Sequence, residues 1–162
     1  MSDEGSGYWI GVEAIRASLR AHDRGEQPRL LTAVMESLGA KTVHDLAVRV
    51  NGDPTTDFAA LFPVLLASSD PIATELLNRA GKELGMTAAA CGRRLFFEGE
   101  KFAVATHGGV FASSARVKSV FNEKLMELCP NATLVDIAID PAAGALHRAR
   151  REFGVWHKPS AI

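Results

Sequence analysis

Hydrophobic residues recur at helical spacing through most of the chain. At the start, Trp9, Ile10, Val12, Ile15 and Leu19 form one stripe and charged residues lie off it, which predicts an amphipathic helix over residues 8–22. Similar patterns predict helices in three further segments and a long helix after them. These are RLLTAVMESLG, TVHDLAVRV, DFAALFPVLLASS and the stretch from Ile72 to about Phe97.

Polar and turn-forming residues separate the predicted helices. Thr42, Asp57 and Asp70 each stand where a helix N-cap is expected, and Gly39 is expected to end the second helix. The tetrapeptide at 51–54, Asn-Gly-Asp-Pro, predicts a turn, and Pro63 predicts a kink or break.

Three glycines interrupt the long predicted helix. Gly81, Gly85 and Gly92 each cost roughly 1 kcal/mol relative to alanine in a helix. Two explanations fit: another element approaches the helix backbone closely, or the helix is loosely packed.

The pattern changes near residue 101. KFAVAT alternates and is rich enough in apolar residues to predict a strand, followed by His107, Gly108 and Gly109. A helix is predicted from Ser113 or Ser114 to Leu128, then a strand in TLVDIAI and a last helix after Asp140-Pro141. Strand, helix, strand, helix is typical of a right-handed parallel crossover. We therefore expect a helix-rich α/β fold, with a helical segment at 1–99 and a strand-helix-strand-helix segment at 100–162.

Two parallel strands are too few for an independent sheet. Parallel sheets occur almost only as larger sheets covered by helices, and a two-stranded unit is marginal in water. Either the helices form a bundle around a small sheet, or further strands lie upstream of Met1 or on a partner chain.

Composition describes one ordinary soluble domain of 162 residues, with 47% hydrophobic residues and a net charge of -1. No basic patch favours nucleic acid. The longest apolar run, residues 58–67, contains Pro63 and is far below the roughly 20 residues that cross a bilayer. Because MSDEG also lacks the features of a signal peptide, the sequence predicts a cytoplasmic protein with no membrane partner.

The chain offers little for metal or redox chemistry. Cys91 and Cys129 stand apart, which predicts reduced thiols in or near the core rather than a disulfide. His107 has no second ligand at usable spacing, so we expect no metal site. Acids at caps, in turns or on a strand, such as Asp45 and Asp136, pair with no His or Ser in a catalytic order, and we assign no catalytic residue.

Three motifs could contact a ligand. In DEGSGYWIG, glycines permit a tight turn while Asp3 and Glu4 offer acceptors to a polar ligand, although from chemistry alone an acidic, glycine-rich helix start is the better explanation. In ATHGGVF, Gly108 and Gly109 follow a strand, where a flat ligand could lie on bare backbone or the chain could simply turn. In DPAAGAL, small residues favour close helix packing.

These motifs, in this order and spacing, resemble the carboxyl-terminal part of the BadF/BadG/BcrA/BcrD-type ATPase family, in its N-acetylglucosamine kinase branch. The resemblance covers essentially the whole chain and implies an actin-like, ribonuclease-H-type fold that closes over ATP and a sugar. It assigns Asp3, with Glu4 and Ser6 of the same motif, to an amino sugar. The adenosine motif carries over to Gly108 and Gly109, and the nucleotide-bordering insert carries over to the region of Ala59 and Ala60.

The chain departs from that family in what it lacks. Members carry an amino-terminal domain with a phosphate loop and a catalytic aspartate, then a second phosphate loop, and none of these occurs here. Ser2 replaces the usual glycine before DEGS, and His107 replaces a small or apolar residue.

The resemblance therefore implies ATP and Mg²⁺ as cofactors, with the Mg²⁺ ligands outside this chain. It implies a chain that is inactive alone, with an amino-terminal half or a second copy as partner. The alternative is a non-catalytic oligomerisation or regulatory module derived from this fold.

Overall fold

Helices account for most of the chain in the computed structural model, which describes residues 3–137 and 140–153. The two strands are β1 (Phe102–Ala105) and β2 (Ala132–Val135). The helices are α1 (Gly7–Asp23), α2 (Arg29–Ser37), α3 (Val43–Gly52), a 3-10 helix (Phe58–Leu61), α4 (Phe62–Ala67), α5 (Pro71–Leu95), α6 (Gly109–Ser113), α7 (Ala115–Leu128) and α8 (Pro141–Phe153).

The predicted helix caps are confirmed. The side chains of Thr42, Asp57 and Asp70 accept backbone N–H bonds at the starts of α3, the 3-10 helix and α5. Each cap satisfies an N–H group that has no partner within its helix. The predicted turn at 51–54 begins late, because α3 continues through Gly52 before Asp53 ends it.

Pro63 lies in the first turn of α4, directly after the 3-10 helix ends at Leu61. The predicted break therefore falls just before the proline. Proline fits this position because the first helical turn does not use its missing N–H.

The two strands pair in parallel, with Phe102 opposite Ala132 and Ala105 opposite Val135. The strand-helix-strand-helix order is confirmed, and α6 is an additional short helix that the pattern did not predict. β2 ends at Val135, earlier than the predicted strand TLVDIAI, of which residues 138 and 139 lie outside the described residues. Among the described residues the sheet has two strands.

In the part of the chain that the structure describes, two apolar clusters form the core, and α5 contributes to both. The larger joins α1, α2, α3, α4 and α5 around fully buried Ile10, Leu30, Leu46 and Leu65. The smaller joins α5, α7 and β2 around Ala89, Phe121, Leu125, Cys129 and Ala132. Helix α5 therefore connects the helical segment to the strands.

The glycines of α5 allow close packing. A Cβ added to Gly81 would lie 2.8 Å from the Val117 carbonyl oxygen, and one on Gly85 would lie 2.8 Å from the Lys124 Cβ. At Gly92 the added atom would lie 2.6 Å from the Phe102 ring. Helix α7 and strand β1 thus lie directly on the α5 backbone, which decides against the loose-packing explanation.

The prediction of reduced thiols near the core is half right. Both cysteines are free; Cys129 is buried with its Sγ 3.8 Å from the Ala89 carbonyl oxygen, whereas Cys91 is exposed on α5. Cys91 lies next to Gly92 on the helix, about 100° around the axis from the side that packs against β1.

Within the described ranges, each helix taken singly is too short or too polar to cross a membrane. Only when the segments Phe58–Ala67 and Pro71–Leu95 are taken together do they have the length and composition of a membrane span, and the chain bends by 117° between them.

Candidate functional site

The DEGSG segment forms a closed loop at the start of α1. The Ser6 hydroxyl donates to the Asp3 Oδ2 at 2.8 Å and accepts from the Trp9 N–H at 3.0 Å. The Ser6 N–H also donates to the Asp3 carbonyl oxygen at 3.1 Å. Ser6 therefore caps α1 and at the same time orients the exposed Asp3 carboxylate.

Gly5 packs this loop onto α5. Its φ of +90° lies in the region that favours glycine, and an added Cβ would overlap the Leu84 side chain and lie 3.0 Å from the Ala80 carbonyl oxygen. Glu4, beside it, is half-buried. The loop thus has a fixed backing in the long helix.

Three predicted ligand-binding segments meet at Gly7. An added Cβ there would lie 3.6 Å from the Ala59 Cβ and 4.0 Å from the Val110 Cγ2. Ala60 follows Ala59, is exposed, and donates its N–H to the Asp57 carboxylate at 3.3 Å. The DEGSG loop, the 3-10 helix and the start of α6 are therefore neighbours, although they are far apart in the sequence.

Gly108 and Gly109 follow the carboxyl end of β1 and are both exposed. Gly108 has a φ of +102°, and an added Cβ on either glycine would meet no atom within 4 Å. Their backbone is therefore accessible to a flat ligand at the end of the strand where ligands of open α/β sheets bind.

Other singled-out residues do not join this arrangement. Gly144 lies in α8, where an added Cβ meets nothing within 4 Å, so the predicted close helix packing is not seen there. His107 is exposed. Across residues 3–137 and 140–153, no group of three or more His, Cys, Asp or Glu side chains could hold a metal ion.

A cluster of charged and aromatic side chains behind the loop was missed from the sequence. The Arg79 guanidinium of α5 lies 4.9 Å from the centre of the Trp9 ring and 3.1 Å from the Glu13 carboxylate. Glu13 lies on the apolar side of α1, and a charged residue at such a position is a signal that the sequence pattern does contain. Its partner Arg79 is 66 residues away, and no sequence spacing connects them.

A separate cleft of about 570 Å³ lies at the opposite end of the strands. The stacked rings of Phe96 and Phe102, whose centres are 4.6 Å apart, line it together with Arg93 and Pro130. Phe102 begins β1, whereas Gly108 and Gly109 follow its other end. This cleft is therefore distinct from the arrangement around Gly7.

Fold and site together define a helix-rich α/β chain in which a glycine-rich loop with an exposed carboxylate leads into α1, and the first residue of α1 contacts the helix that follows β1. No family model matches the sequence. The chain is similar to an N-acetylmuramic acid/N-acetylglucosamine kinase from Clostridium acetobutylicum, at 30% identity over 158 residues, which are 94% of this chain and 52% of that kinase. It is also similar to an N-acetyl-D-glucosamine kinase from Dictyostelium discoideum, at 29% identity over 154 residues, which are 90% of this chain and 48% of that protein.

The chain thus spans about half the length of the curated relatives it matches. Both relatives are sugar kinases by name, which supports the predicted resemblance to sugar kinases.

Proposed function

We propose that this chain forms the carboxyl-terminal half of an ATP-dependent kinase acting on N-acetylglucosamine or a closely related amino sugar. The observation that carries the proposal is the similarity of 94% of the chain to half of an amino-sugar kinase. The meeting of the loop, the 3-10 helix and the start of α6 at Gly7 adds support, because sugar and nucleotide must lie close together for phosphoryl transfer.

In this proposal Asp3 binds and orients the sugar. An ionised carboxylate accepts hydrogen bonds from sugar hydroxyls, and Ser6 already fixes the direction of the Asp3 side chain. Glu4 and Ser6 complete the same sugar-binding loop. We do not assign Asp3 as the catalytic base, since it is hydrogen-bonded as a structural part of the helix start.

In the same proposal, ATP binds next to the sugar, on the side formed by the 3-10 helix and the residues between β1 and α6. Gly108 and Gly109 form the floor under the adenosine, because their bare backbone leaves room for a flat ring. Ala60 borders the nucleotide from the 3-10 helix, where its small, exposed side chain leaves space.

The remaining parts of the reaction come from the amino-terminal half. Phosphoryl transfer requires phosphate loops, a divalent cation and a base. Following the resemblance, we place the base and the Mg²⁺ ligands in that half. The complete enzyme would have the actin-like fold of the BadF/BadG/BcrA/BcrD-type family and, as a user of ATP, would work in the cytoplasm.

Isothermal titration tests this proposal, with the chain alone and with the amino-terminal half of the Clostridium acetobutylicum relative supplied in trans. We expect N-acetylglucosamine and a non-hydrolysable ATP analogue to bind, and D3N to lose most of the sugar affinity. D23N is the matched control, because Asp23 is exposed at the far end of α1, and the helix from Gly7 to Asp23 is about 24 Å long at 1.5 Å per residue. Absence of binding in both preparations would refute the proposal.

A second candidate is a non-catalytic module that associates through its sheet. It is favoured by the two-stranded parallel sheet, in which Ala103 and Thr133 are exposed along the described strands. Open strand edges invite pairing with another chain. Sedimentation of the chain distinguishes the candidates: a concentration-dependent oligomer without sugar binding supports the module, and a monomer argues against it.

A further inference from the structure

The Glu13 carboxylate is a buried charge in the middle of α1. The residue is 8% exposed and neighbours the fully buried Ala14. Its Oε1 accepts from Arg16 at 3.0 Å, one turn along the same helix, and its Oε2 accepts from Arg79 of α5 at 3.1 Å.

Stability alone does not explain this arrangement. The Glu13 side chain is 10% exposed and loses most of its hydration, whereas the Arg79 and Arg16 side chains are 50% and 64% exposed, so water screens the attraction and these pairs add little net stability. A carboxylate held by two guanidinium groups, however, fixes the direction of long side chains that would otherwise move. The orientation of Arg79 is therefore the informative feature.

Arg79 is held directly over the Trp9 ring, at 4.9 Å from the ring centre to its Cζ. Trp9 is half-buried in the first turn of α1, and its backbone N–H donates to the Ser6 hydroxyl. That hydroxyl in turn donates to the Asp3 carboxylate. A continuous series of contacts thus runs from Glu13 through Arg79, Trp9 and Ser6 to Asp3.

We propose that Arg79, held by Glu13, is a positioning residue that fixes Trp9 and thereby the DEGSG loop. The identity of the ligand that Asp3 binds rests on the proposed function, whereas the positioning itself does not. Since the loop would contact the sugar before and during phosphoryl transfer alike, losing Arg79 weakens sugar binding and leaves the later chemical step unchanged.

Amide hydrogen exchange in the full chain, followed by NMR, tests the positioning. R79M keeps the aliphatic stem and removes the guanidinium, and we expect the Trp9 amide to exchange about fivefold faster. R16M is the matched control, because it removes the other guanidinium on Glu13 but not the contact with Trp9. R79K keeps a cation near Glu13 without the planar group, so it should restore the protection only in part.

The Asp45 amide is the internal reference, because it donates to the Thr42 hydroxyl in the same way that Trp9 donates to Ser6. A faster Trp9 exchange in R79M with unchanged Asp45 exchange supports the proposal. If both amides accelerate together, or if R16M has the same effect as R79M, the proposal is wrong.

Sugar titration separates this proposal from the proposed function. If the wild-type chain with its amino-terminal half binds N-acetylglucosamine, R79M should raise the dissociation constant severalfold while R16M leaves it unchanged. Equal binding by wild type and R79M would overturn the positioning role. If the wild type fails to bind, the proposed function fails, and the exchange experiment still decides whether Arg79 holds the loop.

Discussion

Single glycines decide how closely α1 approaches the 3-10 helix that leads to Ala59 and Ala60. An added Cβ on Gly11 would overlap the Phe58 carbonyl oxygen, which is backbone and has no alternative rotamer. We predict that G11A destabilises the chain by about 3 kcal/mol. Urea unfolding measures this change.

The control for that variant is G52A. An added Cβ on Gly52, the last residue of α3, meets no atom within 4 Å, so its effect should stay within about 1 kcal/mol. Equal destabilisation by G11A and G52A would contradict the predicted clash.

A buried hydroxyl offers an opposite prediction. The Ser18 Oγ is fully buried in α1 and has no hydrogen-bond partner among the described residues. Because an unpaired buried polar group is costly, S18A should stabilise the chain by about 1 kcal/mol. S37A, at an exposed position in α2, should change the free energy of unfolding by less than about 0.5 kcal/mol. A destabilised S18A would contradict this prediction.

Among the elements, Asp70 joins the starts of α2 and α5. Its Oδ1 accepts from the Ile72 N–H at 2.9 Å and its Oδ2 from the Leu30 N–H at 3.0 Å, and the residue is 6% exposed. Removing it leaves two N–H groups without a partner, so D70A should cost about 3 kcal/mol in thermal or urea unfolding. D57A removes a more exposed cap and should cost about 1 kcal/mol. Similar losses for both variants would contradict this account.

The start of α3 gives a pH-dependent prediction. The Lys41 N–H donates to the Asp45 carboxylate and, with Arg49, lowers the Asp45 pKa below its ordinary 3.8. A lowered folded pKa means that the charged carboxylate stabilises α3 above pH 3.8, and this contribution is lost as the pH falls through the folded value.

NMR titration of the Asp45 carboxyl carbon tests that assignment of causes. R49Q should raise the pKa only in part, because the backbone bond from Lys41, the largest single cause, is retained. A return to the ordinary value in R49Q would show instead that Arg49 is the main cause.

Helices and caps were predictable where a local signal exists. Thr42 and Asp70 accept hydrogen bonds from N–H groups no more than three residues further along the chain. The hydrophobic stripe from Trp9 to Leu19 lies within one helix. Helix α6 was not predictable because five residues carry too little periodicity. The bond from Leu30 to Asp70 spans 40 residues, and the sequence contains no sign of it.

At the scale of the whole molecule, the candidate site depends on packing between distant segments. The glycine motifs indicated Asp3, Gly108 and Gly109 one by one, but only the packing around Gly7 brings their segments together with Ala59. The role of Arg79 follows from the same packing of α1 on α5. The binding roles of these residues remain predictions.

The most direct test of the sugar-binding role is a chemical-shift map of the ¹⁵N-labelled chain, mixed with the unlabelled amino-terminal half, during addition of N-acetylglucosamine. We predict that the largest shifts fall at residues 3–9, which include the proposed sugar-binding Asp3, Glu4 and Ser6, and that D3N abolishes them while D23N does not. Shifts confined to other parts of the chain, or none at saturating sugar, would contradict the assignment of the DEGSG loop as a sugar-binding site.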